Sequence, residues 1–200
     1  MCHRIHPLLL SELYEALEAL RASGRARVPA REPGVVVPDA YPGTKLPLFI
    51  PTQQGSLEAA ELTWGFDAPS NASSKLVFNT RIETALSQAR AGRGLWSEAI
   101  LNGRCLVPVR SFYESWTRTP PRRGAQVRFN YPGHQVFLLA GIWQGDRCSI
   151  VTTEPNASVA PTHSRMPLVL APGESSIWLG PDFAGLADRS RIMLDATPDA

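Results

Sequence analysis

Apolar residues near the start of the chain recur at helical spacing: Leu9, Leu13, Leu17 and Leu20, with Tyr14, Ala16 and Ala19 between them. Ser11 and the acids Glu12, Glu15 and Glu18 suit the positive end of a helix. The pattern predicts an amphipathic helix over 8–22 that stops at Gly24, followed by a basic, mobile, Pro-bearing loop over 21–31. The period then shortens. VVV (35–37), LPLFI (46–50) and LEAAELTWGF (57–66) read as extended segments, separated by Pro38, the Pro42-Gly43 turn and the Gln53–Gly55 loop. A polar loop over 67–74 leads into two helical stretches, one beginning near Thr80 and one over 95–102.

Strand signals return in RCLVPV, FYESW, QVRFNY, QVFLLAGIW and CSIVTT, with a hairpin at Pro-Pro-Arg-Arg-Gly (120–124) between the second and third. A short strand over 167–170 and short helices over 174–180 and 184–191 complete the pattern. The expected fold is one α+β domain over residues 1–200, strand-rich, with a mixed, largely antiparallel, barrel-like sheet and flanking short helices.

Composition narrows the function classes. Glycine and proline together make 33 of 200 residues, which favours many turns, and 44% hydrophobic with 19% charged residues is ordinary globular usage. The longest apolar runs, 8–10 and 136–142, are far too short for a bilayer, and the opening turns acidic before a signal-peptide core develops. A soluble, cytoplasmic monomer with no membrane contact is expected. Of 20 cations all but Lys45 and Lys75 are arginine, the side chain that grips phosphates through paired hydrogen bonds, although the net charge is only +2. Cys2, Cys105 and Cys148 are odd in number and widely spaced, which excludes a disulfide framework and a standard zinc site. No metal or cofactor is expected, and Cys105 and Cys148 belong to the core.

Removal of Met1 would give Cys2 a free amine and a thiol on one residue. The amine forms a Schiff base with an aldehyde and the thiol closes on the imine carbon to a thiazolidine; a cysteine at position 2 also occurs by chance. Glu114, in SFYESW, is either solvated or held in a desolvated pocket that suits it to shuttle protons. His163 stands where a loop enters an apolar strand, with Arg165 two residues on. Asn79 or Thr80 reads as a helix cap with Glu83 as its capping-box partner, Arg81 lying between. Trp64 is either core or a flat face for a nucleobase.

Five features occur in order: Cys2 followed by Arg4, WGF at 64–66, NTRIET at 79–84, RCLVPVRSFYESW at 104–116 and THSRMPLVL at 162–170. Together, over about residues 2–180, they resemble the SOS-response-associated peptidase (SRAP) family, whose members shield abasic sites in single-stranded DNA. The resemblance implies that Cys2 is the nucleophile that crosslinks to the ring-opened sugar. It implies that Asn79 holds the first residue and the sugar, that Glu114 is the catalytic acid–base, and that His163 serves ring opening and crosslink reversal. Arg4, Arg81 and Arg165 match positions near the DNA backbone, and Trp64 and Pro42 match residues that pack on bases. The implied partner is single-stranded DNA containing abasic sites, with nucleoid association on damaged DNA and possible lyase or peptidase activity. The chain departs from the family pattern at His3, where glycine is usual, in lacking a second Trp after WGF, in the extra residue of FYESW, and in its last residues. Two other readings are an N-terminal-nucleophile cysteine (auto)peptidase and a non-covalent single-stranded DNA-binding module.

Overall fold

The computed structural model of the protein describes residues 2–24, 28, 36–68, 76–117 and 125–199. In chain order the elements are β1 (Arg4–Pro7), α1 (Leu10–Ser23), β2 (Lys45–Pro51), β3 (Leu57–Trp64), β4 (Phe66–Asp67), β5 (Leu76–Val77), β6 (Asn79–Arg81), α2 (Ile82–Ala91), α3 (Ser97–Asn102) and β7 (Arg104–Ser115). There follow β8 (Gln126–Asn130), β9 (Phe137–Gln144), β10 (Arg147–Thr153), β11 (Met166–Pro167), β12 (Val169–Leu170), α4 (Ser175–Leu179), a 3₁₀ turn (Phe183–Ala187) and β13 (Asp195–Pro198).

Strands β9, β10, β3, β2 and β7 pair in that order, and β7 pairs back onto β9, so the sheet closes into a five-stranded barrel. Four of the five junctions are antiparallel, and β3 runs parallel to β10 through Thr63 and Cys148 and their neighbours. Strand alternation sorts the side chains into two cores. Leu46, Leu48, Val107, Val109, Leu139 and Ile150 share one cluster inside the barrel. Phe49, Leu106, Ala140 and Ile142 point outward, into a cluster completed by Leu13 and Leu17 of α1, Ile82 of α2, Ile100 of α3 and Trp178 of α4. Being covered on both faces explains why β7 reads as a nearly unbroken apolar run rather than an alternating one.

The expected strand-rich α+β barrel with short helices is what forms. RCLVPV and FYESW, however, make one twelve-residue strand. Pro108 does not break it because the proline sits where β7 changes partners: Leu106 opposes β2, Val109 opposes β1, and Pro108 itself is paired to Leu138 of β9 on the other side. Helix α1 ends as expected, at Gly24 with φ 68°, and reaches through Ser23. Its first turn is closed by Glu12, whose carboxylate accepts the Leu9 backbone N–H at 2.7 Å and binds Arg110 of β7 at 2.6 Å. Val36 and Val37 are not in a strand, and the 184–191 helix is a 3₁₀ turn. The last residues add a strand, β13, antiparallel to β8. Of the expected 21–31 loop, residues 21–23 belong to α1, and most of the rest lies outside the described residues, as do the hairpin at 120–124 and most of the 67–74 loop.

Candidate functional site

Strand β1 lies antiparallel on β7, with Arg4 opposite Tyr113 and Ile5 opposite Phe112. This register brings the start of the chain to the far end of β7, where Glu114 stands. Strand β6 runs parallel to β10, with Asn79 opposite Ile150. Between β10 and β11 the chain makes tight turns over 156–163, held by the Asn156 side chain, which accepts the N–H groups of Ser158 and Val159. Thr117 then pins this loop to the end of β7 by donating its backbone N–H to Thr162 at 3.0 Å. Four separated elements thus deliver Cys2, Asn79, Glu114 and His163 to one place.

Asn79 Nδ2 donates to the carbonyl oxygen of Cys2 at 2.7 Å. Its other amide atom, Oδ1, is buried without a hydrogen-bond partner among the described residues. Glu114 is wholly buried, with Oε2 at 3.7 Å from His163 Nδ1. Burial pushes its carboxyl up to about 7, against the pull of the positive amino terminus, so both protonation states are populated at neutral pH. Cys2 is also wholly buried, its Sγ 3.7 Å from the Arg4 carbonyl. Burial first, and then the charge of Glu114, push its thiol well above the ordinary range, so it stays an S–H group at neutral pH. His163 Nδ1 lies 3.0 Å from both the backbone N and the backbone O of Arg165. Accepting the Arg165 N–H leaves the proton on Nε2, whereas a proton on Nδ1 would face the carbonyl.

The expectation that Asn79 or Thr80 caps α2 is overturned. Both residues belong to β6, and the cap position is Arg81, with no side-chain cap. Asn79 is spent on Cys2, Thr80 donates to Ser149 at 2.8 Å, and Glu83 pairs with Arg165 at 2.6 Å. Trp64 is fully buried, its Nε1 donating to the Phe78 carbonyl at 2.8 Å and its ring edge-on to Phe78. It is a core residue with no face to offer a base. Pro42 and exposed Tyr41 form the turn beside it, closed by Thr44 N–H to Tyr41 O at 3.0 Å, with Gly43 at φ 91°.

The three arginines differ. Arg81 is exposed. Arg165 is buried and held by Glu83, Glu154 and the Thr152 carbonyl, so it braces the His163 loop rather than facing solvent. Arg4 lies 3.9 Å over the Tyr113 ring and is bound by Asp39, Asp199 and Gln126. The partners of Arg4 and Arg165 lie up to 195 residues away along the chain, and nothing local in the sequence marks them. Cys105 and Cys148 are buried thiols, as expected of core residues. Among the described residues no group of three or more His, Cys, Asp or Glu side chains is arranged to hold a metal ion.

The fold is thus a closed mixed barrel that gathers Asn79, Glu114 and His163 around Cys2. The family model for SOS response associated peptidase (SRAP) matches residues 1–199, and the chain belongs to that family. Its sequence is 31% identical over 133 residues to the abasic site processing protein YoqW of Bacillus subtilis (strain 168), covering 60% of this chain and 57% of YoqW. It is 32% identical to the abasic site processing protein YoaM of the same strain, over 60% of this chain and 56% of YoaM. The chain therefore matches a little over half the length of these relatives. Among solved structures, a protein from Bordetella bronchiseptica superposes with a TM-score of 0.68 at 21% identity over the whole of both chains. Another, from Bacteroides thetaiotaomicron, gives 0.66 at 20% identity over 98% of this chain and 91% of its own. At these identities the likeness is one of fold.

Proposed function

We propose that this protein processes abasic sites in single-stranded DNA by capturing them covalently through Cys2, after removal of Met1. The observation that carries the reading is the convergence of Asn79, Glu114 and His163 on Cys2, with Asn79 hydrogen-bonded to the Cys2 carbonyl and Glu114 held near a neutral pKa. The names of the relatives YoqW and YoaM support the abasic-site part of it.

An abasic sugar is mostly a closed hemiacetal and must be opened to its aldehyde before an amine can attack. One of Glu114 and His163 donates a proton to the ring oxygen while the other takes the proton of the anomeric hydroxyl. The Cys2 amine adds to the aldehyde carbon, and water leaves as the imine forms. The Cys2 sulfur then bonds to the imine carbon; its proton passes to Glu114 as carboxylate, and the imine nitrogen receives one. The thiazolidine therefore differs from amine, thiol and aldehyde by one water. Ring closure removes the imine that would otherwise favour β-elimination and strand cleavage. The free Oδ1 of Asn79 accepts from the amine or from a sugar hydroxyl.

The test is intact mass and a denaturing gel after incubation with an abasic single-stranded oligonucleotide. Wild-type protein lacking Met1 should yield a denaturation-resistant adduct, and Cys2→Ala should yield none. An adduct that forms equally in Cys2→Ala, or none with processed wild type, overturns the reading.

A further inference from the structure

Arg4 is not free to receive a phosphate. Its Nε donates to Asp39 at 2.6 Å, and its Nη1 donates to Gln126 at 2.6 Å and to Asp199. Two carboxylates already face the one guanidinium and would repel a DNA backbone. The two acids are not equally placed. Asp39 is the more buried, at 15% side-chain exposure, and also binds His6 at 2.8 Å. Asp199 is 29% exposed and follows β13, whose four residues are all exposed and which pairs with β8 alone. A strand at a sheet edge with no buried side chain belongs to the least stable part of a fold and opens locally at small cost.

We propose that Asp199 occupies the seat of a DNA backbone phosphate on Arg4, and that segment 195–199 is an intramolecular competitor that single-stranded DNA must displace. The carboxylate and a phosphodiester oxygen present the same acceptor to the guanidinium. The seat is also joined to the chain start. Arginine only donates, so Gln126 Oε1 must accept from Arg4 and its Nε2 faces His3 Nε2 at 3.0 Å. An amide N–H only donates as well, so His3 is the acceptor there. Residue 126 thereby links the occupant of Arg4 to the residue next to Cys2. Its backbone carbonyl accepts the Asp199 N–H at 2.9 Å, so lifting the segment frees that carbonyl as well as Arg4.

This inference rests on the reading of the protein as one that binds single-stranded DNA, and its test separates the two. Wild type, Asp199→Asn, Arg4→Gln and the double variant are titrated onto a fluorescent oligothymidylate without any abasic site, across a sodium chloride series. Asn keeps the shape and an acceptor but removes the competing charge. Asp199→Asn should bind about threefold tighter at low salt, and its log–log salt dependence should steepen by about 0.7, the increment for one added phosphate contact on a single strand. Both gains should vanish in the double variant, and a chain ending at Leu194 should repeat the gain. Unchanged or weaker binding by Asp199→Asn and the shortened chain, or a gain that persists without Arg4, overturns the competitor. Adduct formation by wild type on an abasic oligonucleotide, read in parallel, shows whether the capture reading survives that result. Absence of binding in every variant overturns the competitor, and absence of the adduct as well overturns both.

Discussion

Glu114 carries a charge that folding opposes, and this sets a pH dependence that can be worked out in advance. Its carboxyl moves from an ordinary 4.5 to about 7 because it is buried in the barrel end. At about 1.4 kcal/mol per tenfold change in proton affinity, that displacement is worth about 3 kcal/mol. The sign follows from which state holds the proton. Between pH 4.5 and 7 the folded protein keeps a proton that the unfolded chain has released, so stability falls as pH rises through this window and levels off above it. Glu114→Gln has no proton to lose and should be spared. Urea denaturation of the two proteins at pH 5 and pH 8 reads this directly. Contributions from groups remote from Glu114 cancel in the difference, and wild type should lose about 2–3 kcal/mol more than Glu114→Gln between the two conditions. For a chain of this size that is a relative shift in urea midpoint of about 1 M. Parallel profiles for the two proteins would refute the claim that Glu114 is desolvated, and with it the argument that it is poised to move protons at neutral pH.

Two further outcomes follow from the same geometry. Asn79→Ala removes the 2.7 Å bond to the Cys2 carbonyl; it should lower stability by about 1–2 kcal/mol in a thermal melt and slow single-turnover adduct formation by about 10- to 100-fold. Trp64→Phe loses the bond to Phe78 and some core volume, at about 1–3 kcal/mol. Its affinity for an undamaged oligonucleotide should match wild type, and a loss of affinity at full folding would return Trp64 to the DNA surface.

The barrel was legible where periodicity is strong. The α1 stripe, the β2 and β3 runs and the β9–β10 pair all show their spacing openly, because one face or both faces are buried along their length. Pro108 misled because a proline in an apolar run normally ends a strand; its tolerance depends on β7 changing neighbours there, which is a property of three strands at once. Cys2, Glu114 and His163 could be found only as a constellation, since each by itself has an ordinary explanation. Asn79 shows the limit of local reasoning. Its spacing to Glu83 fits a capping box, yet its amide is used 77 residues away. Trp64 could not be sorted from its sequence, because strand alternation says that two faces exist without saying which one is inside. Asp39 and Asp199 on Arg4, and Glu83 on Arg165, are invisible for the same reason that makes them effective: they arrive from distant segments only after the chain has folded.

The grip of Asn79 on the first residue falls on a peptide carbonyl, an atom that every amino acid presents alike. The barrel therefore holds residue 2 by its backbone, while the enclosed space around the Cys2 side chain limits what can stand there. On the capture proposed above, delivery and reactivity are written in different parts of the molecule: the wall of β6 and β10 fixes where the amine is offered, and a single sulfur atom determines whether an imine formed there is left open or sealed.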